Sequence, residues 1–114
     1  MHNPSEHVVV VDFSVSPDEE DQALHEIAEY IDSFLSKQSG FIVSTLHKGL
    51  EPGSILHYAR WHSEADFNRA AQAAQSHPDL PRMRSFKPRG RGFTPWHSFG
   101  DLDLVERDAI APDD

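Results

Sequence analysis

The sequence predicts one α+β domain built on a single antiparallel sheet with its helices on one face. Three observations carry that prediction. The stretches HVVVVDFSV, FIVSTLHKGL and SILHYARWH are β-branched or alternate polar with apolar residues, as strands do. The segments that follow the first and third of them carry helical spacing and start signals instead. At 114 residues, 38% of them hydrophobic, the chain has material for one core and little for a second.

Residues 7–15 read as a buried strand bounded by polar turn formers. Ser16, Pro17 and Glu19 then supply an N-cap, a proline at the first helical position and an acid three residues after the cap. Leu24, Ile27, Ala28, Ile31, Phe34 and Leu35 follow at i, i+3, i+4 and i+7, one apolar stripe with acids opposite, and Gly40 closes the helix. Phe41 to Leu50 alternates, and after Glu51-Pro52-Gly53 the alternation resumes through His62, which makes a hairpin.

Ser63 caps the next helix, with Glu64 and Asp66 in its electropositive first turn, and AAQAAQ extends it to about Ser76 before Pro78 stops it. Its alanine face predicts close packing. PDLPRMR reads as a short helical turn, KPRGRGFTPWHSFG as loop, and LDLVERD as a strand at a sheet edge. The domain is expected to span residues 1–114, with a core over 7–108 and tails at 1–6 and 109–114.

The order strand, helix, strand, strand, helix, irregular segment, strand is the split βαβ pattern of ferredoxin-like folds. Helices on one face leave the other uncovered, and a second copy is the simplest cover, so a homodimer is expected, a dimeric α/β barrel.

Composition excludes several functions. The longest apolar run, Val8 to Val11, is far short of the roughly 20 residues that span a bilayer, so no membrane association is expected. MHNPSEH lacks the basic and apolar regions of a secretory signal, so the expected location is cytoplasmic. No cysteine is present, so disulfides, thiolate metal sites and a Cys nucleophile are excluded. The net charge of −9 would repel a nucleic-acid backbone. Arg82, Arg84, Lys87, Arg89 and Arg91 do cluster, but no stacking platform accompanies them, and nucleic acid is not an expected partner. They read more simply as partners for acids of this chain or of a second subunit, the stretch Asp18 to Asp32 being rich in them.

The informative stretch is HYARWHSEADFNRAA, residues 57–71. In a strand, residues two apart share a face, so Ile55, His57, Ala59 and Trp61 point one way and Leu56, Tyr58, Arg60 and His62 the other. If the first set lies under the helices, an imidazole and an indole N–H face a mostly apolar space, the usual makeup of a small-molecule site. Ordinary core is the alternative. His47 pairs with His57 if the hairpin loop has three residues, and with Tyr58 if it has two; Pro-Gly slightly favours the longer loop. Even a paired His47 and His57 need a third ligand, which only His97 or a remote carboxylate offers, so no metal is expected. Phe93, Trp96, His97 and Phe99 could form a lid over a pocket mouth or an aromatic plug under a loop.

The segments QSGFIVSTLHKG, HYARWHSEADFNRAAQ and HPDLPRM together resemble the antibiotic biosynthesis monooxygenase family, small dimeric ferredoxin-like α+β barrels. Its most recognisable local feature is a strand ending in Trp-x-Ser before an acidic, aromatic-bearing helix, here Trp61-His62-Ser63-Glu64 with Phe67. The resemblance covers roughly Val8 to Met83. It implies a small monooxygenase (quinone-forming) or cyclase that needs no cofactor and acts on an aromatic polyketide-type substrate.

Matched residue by residue, the chain departs from the quinone-forming members. His57 stands where they carry Asn, Pro81 where they carry Arg, with Arg82 and Arg84 close by, and Phe67 where they carry a Tyr hydroxyl. The haem-degrading members carry a helix Trp where this chain has Ala70, and their haem-ligating His falls near Leu80. His57, Trp61, Arg82 and Arg84 are therefore the catalytic candidates, with Phe67, His47, Trp96 and His97 as substrate contacts. His57 is the expected base, its ordinary pKa lying near neutrality. Trp61 would donate its N–H and an arginine would stabilise the oxyanion. Two other readings remain open: a non-catalytic ligand-binding or stress-related barrel protein, and an isomerase or cyclase using His57 as acid–base.

Overall fold

The computed structural model describes residues 6–100. Four strands, β1 (His7–Ser14), β2 (Phe41–Lys48), β3 (Ser54–Trp61) and β4 (Arg89–Phe93), form one sheet in the order β2-β3-β1-β4. All neighbours run antiparallel. The helices are α1 (Glu20–Ser33), α2 (Glu64–Ala74) and the short α3 (Leu80–Arg84). This is the expected α+β ferredoxin-like architecture: α1 crosses from β1 to β2, and β3 returns between them.

Ser16 precedes a single 3₁₀ turn, Pro17–Glu19, and its side chain makes no cap, so the α-helix proper starts at Glu20. Glu20 is buried, and its carboxylate accepts a 2.6 Å hydrogen bond from the Gly53 N–H, tying the start of α1 to the β2–β3 hairpin. Ala23 and Ile27 are the fully buried residues of α1, and Ala28 is exposed. The helix is thus turned slightly from the expected stripe, which brings Tyr30 toward the core in place of Ala28. Gly40 closes the segment with φ +90°, a left-handed conformation that side chains other than glycine rarely adopt.

Ser63 caps α2 as expected: its hydroxyl accepts from the Asp66 N–H at 3.1 Å and donates to the Asp66 carboxylate at 3.0 Å. The alanines at 70 and 74 are buried, allowing α2 to lie close to the sheet.

Two expectations are corrected. KPRGRGFTPWHSFG is not all loop, because Arg89–Phe93 pairs with Val8–Asp12 as the edge strand β4. LDLVERD, the strand expected at the edge, lies outside the described residues. The hairpin register also matches neither loop length considered: Leu46 pairs with His57 and His47 with Leu56. Directly paired residues share a face, so His47 and His57 lie on opposite faces of the sheet.

The core has two parts. Phe13, Ala23, Ile27, Ile55, Met83 and Phe86 form one cluster, under α1 and α3. Val9, Ala59, Trp61 and Ala70 form the other, under α2. Val11 touches both.

Candidate functional site

A cavity of about 160 Å³ lies at the seam between the two clusters. Val11 and His57 form part of its floor, Ile27 and Tyr30 line it from α1, and Met83 and Pro88 close it from the segment after α2. The floor is set by register: His57 pairs with Val11, and the row they form runs on beyond the cavity to Leu46 in β2 and Gly90 in β4. Nearly all of the lining is apolar, and the imidazole is its one strongly basic-capable group among the described residues.

His57 is 5% exposed, and its Nε2 has no hydrogen-bond partner. A buried polar atom without a partner costs free energy and points to an absent one. Burial, assisted by the field of His47 from the other face, pushes the imidazole down from 6.5 to about 4. It is therefore neutral at physiological pH, with one ring nitrogen carrying a lone pair.

A stability prediction follows from that shift. Above pH 6.5 folded and unfolded chains both hold His57 neutral, and it contributes no pH dependence. Between 6.5 and about 4 the unfolded chain takes up a proton that the folded chain refuses, so stability falls with falling pH. The full loss is about 3 kcal/mol. Urea unfolding of the wild type and of His57→Gln at about pH 7 and about pH 4 checks it. Equal pH dependence in the two proteins would refute the assignment.

Trp61 ends β3 on the same face and is completely buried. Its ring meets Phe41 edge-on at 5.3 Å and Phe67 at 5.6 Å, so it anchors the second core cluster. Its Nε1 is also buried without a partner. Trp61 is not among the residues lining the cavity, which Val11 and Leu35 separate from its cluster. Phe67 packs between Trp61 and His7, whose ring is 5.7 Å away.

The remaining candidates stand apart from the cavity. Arg82 donates to the Glu26 carboxylate from Nε (2.6 Å) and Nη2 (3.2 Å) and lies over the Phe86 ring, latching α3 to α1. This ion pair holds the Glu26 carboxyl below its ordinary range. Arg84 donates to Gln75 on the surface at 3.3 Å. Arg91 pairs with Asp12 at 3.2 Å, so the basic run does engage acids of its own chain. His47 is exposed. Trp96 is 89% exposed and His97 meets the exposed Trp96 and Phe99 rings at tilted angles, which removes the aromatic plug. Among the described residues no three His, Asp or Glu side chains gather as a metal site would need, and no helix is long and apolar enough to cross a membrane.

Tyr30 is the cavity residue that sequence reasoning missed. It lies three residues after Ile27 and seven after Ala23, the helical spacing that could have found it. Burial, then the negative charge of Asp79, raises its pKa.

The fold is a ferredoxin-like α+β domain with a mostly apolar cavity between sheet and helices and an unpartnered neutral imidazole on its floor. The chain belongs to the antibiotic biosynthesis monooxygenase family, whose profile matches residues 7–78. It is 29% identical over 90 residues to the tetracenomycin-F1 monooxygenase of Streptomyces glaucescens, covering 77% of this chain and 80% of that one. The fold is shared with SnoaB, a cofactor-independent oxygenase from Streptomyces nogalater, with TM-score 0.62 and 21% identity over 85% of this chain and 99% of that one. A monooxygenase from the gene ActVA-Orf6 of Streptomyces coelicolor, solved with nanaomycin D, gives 0.64 and 21% over 86% and 94%.

Proposed function

We propose that this protein is a cofactor-independent, quinone-forming monooxygenase of aromatic polyketide-type substrates, working as a homodimer. The observation that carries the reading is the neutral, unpartnered Nε2 of His57 inside an apolar cavity. The names of the related proteins supply the reaction class and the independence from cofactors.

In this scheme His57 Nε2 takes a proton from an activated C–H of the substrate. The resulting enolate passes one electron to dioxygen, and the substrate radical and superoxide combine with formation of a C–O bond. The imidazolium returns its proton to the peroxide. Loss of water then leaves the quinone carbonyl, so one oxygen atom enters the product and the other leaves as water.

A histidine with a pKa near 4 is a weak base alone. Forming the enolate beside it changes that: imidazolium and anion arise as a pair in a low-dielectric site, where each stabilises the other. The unpartnered N–H of Trp61 is a second donor for the anion, if the partition between the two clusters opens on binding. Arg82 and Arg84 would have to leave Glu26 and Gln75 to take part.

The same engagement of the arginines, with Phe67 offering no hydroxyl, favours a second reading in which the cavity binds a ligand without turnover. Oxygen consumption with anthrone, with and without added flavin, separates the two. Flavin-independent uptake with anthraquinone as product is expected. Saturable binding without uptake would establish the second reading instead. The open sheet face, with Val10, Leu56 and Tyr58, is where the second copy would pack, and light scattering should give about twice the 12.9 kDa chain mass.

A further inference from the structure

β4 reads Arg-Gly-Arg-Gly-Phe, and its register with β1 sorts these residues cleanly. Gly90 pairs with Val11 and Gly92 with Val9, so both glycines lie on the helix-covered face, while Arg89, Arg91 and Phe93 lie on the other. Glycine weakens a strand by roughly 0.5–1 kcal/mol relative to alanine, so each one calls for a reason.

Gly92 has one. A Cβ there would sit 3.0 Å from Cε1 of His7, whose ring packs across it. Gly90 has none of the ordinary reasons. Its φ is not positive, and the pairing of β1 with β4 runs from Val8 to Asp12 without a bulge. Among the described residues a Cβ on Gly90 would meet only Cγ2 of Val11, at 3.8 Å, an ordinary contact. What the missing side chain leaves is space on the helix side of the sheet. Gly90 lies just outside the cavity lining, next to Val11 and two residues from Pro88, which both line it, and it continues the row His57, Val11, Gly90 to the exposed sheet edge.

We infer that Gly90 is a ligand-binding position: it leaves the cavity floor open toward β4, so that a flat, fused-ring aromatic with one ring at His57 extends across Val11 and over Gly90. The argument rests on the cavity being the ligand site and adds the shape of what it takes. At about 160 Å³ the enclosed part is smaller than the roughly 300–1,000 Å³ of ordinary ligand pockets, so a ligand of several rings needs this lateral exit. Cross-strand neighbours on one face are about 5 Å apart, so the row offers a planar shelf about 10 Å long from His57 to Gly90.

The test compares a three-ring probe, anthrone, with a one-ring probe, phenol, by isothermal titration. It uses the wild type, Gly90→Ala, Gly90→Val and His57→Ala, with folding of each verified by circular dichroism. Valine suits a strand, so Gly90→Val should fold at least as well as the wild type. It is expected to weaken anthrone binding by about tenfold or more, with Gly90→Ala intermediate and phenol unchanged, since a single methylene in a tight pocket shifts affinity by about 10–200-fold. If Gly90→Val leaves anthrone binding intact, or weakens both probes equally, the shelf does not exist although the cavity remains the ligand site. If the wild type binds phenol but not anthrone, the shelf is likewise overturned. If His57→Ala alters neither probe's binding, or the wild type binds neither, the cavity itself is not the site and both readings fall.

Discussion

His57→Ala is expected to lower the rate of flavin-independent oxygen consumption by about 100- to 10,000-fold, the usual cost of removing a general base. The imidazole is the one lining group that can accept the substrate proton as the enolate forms beside it, and its Nε2 has no other partner. The substitution also removes a buried, unsatisfied nitrogen, so the fold should tolerate it; unfolding at neutral pH should change far less than the rate. That separation distinguishes a base from a packing residue. His57→Asn is the complementary probe, because it installs the residue type carried at this position by the quinone-forming relatives that the sequence resembles. It should retain more turnover than His57→Ala. A His57→Ala protein with wild-type oxygen consumption on an identified substrate would sink the assignment.

Trp61→Ala should destabilise the domain by about 3–5 kcal/mol, the range for deleting a fully buried large aromatic. The indole is wedged between Phe41 and Phe67 over Val9, Ala59 and Ala70, so its removal leaves a large void in the second core cluster. Small domains are stable by only about 5–15 kcal/mol, so a large share of the chains should unfold in mild urea. Trp61→Phe keeps most of the ring volume and loses the N–H. If the indole N–H contacts ligand, this variant melts close to the wild type yet binds or turns over anthrone less well. Unchanged function in Trp61→Phe would leave Trp61 as core alone, and a Trp61→Ala protein as stable as the wild type would contradict its burial.

Most of the fold was legible in local pattern. β1 announces itself by its β-branched run, β2, β3, α1 and α2 by a period of two or of about 3.6, and Ser63 by its place before an acidic turn. β4 was not legible, for a physical reason. A strand is recognised by apolar residues on one face, and the helix-side face of β4 carries glycines instead, every residue of this edge strand being exposed. Its strand conformation comes from pairing with β1, a long-range event that no window of sequence contains.

The site divides the same way. The alternation along SILHYARW placed His57 and Trp61 on one face, because that depends only on the geometry of a single strand. Whether they share a space depends on what packs above them, and the structure puts His57 in the cavity and Trp61 in the neighbouring core. His47 and Arg82 show the same limit. One residue of hairpin register moves His47 to the far face, and the approach of α1 to α3 commits Arg82 to Glu26. By itself, then, the sequence determined the order of β1, α1, β2, β3 and α2, which residues of a single strand share a face, and the family, all of which local spacing and local residue identity encode. Register, the turn of α1 that brings in Tyr30, the open floor at Gly90 and the two unpartnered nitrogens were decided only by tertiary structure, because each depends on the relative placement of segments far apart in the chain.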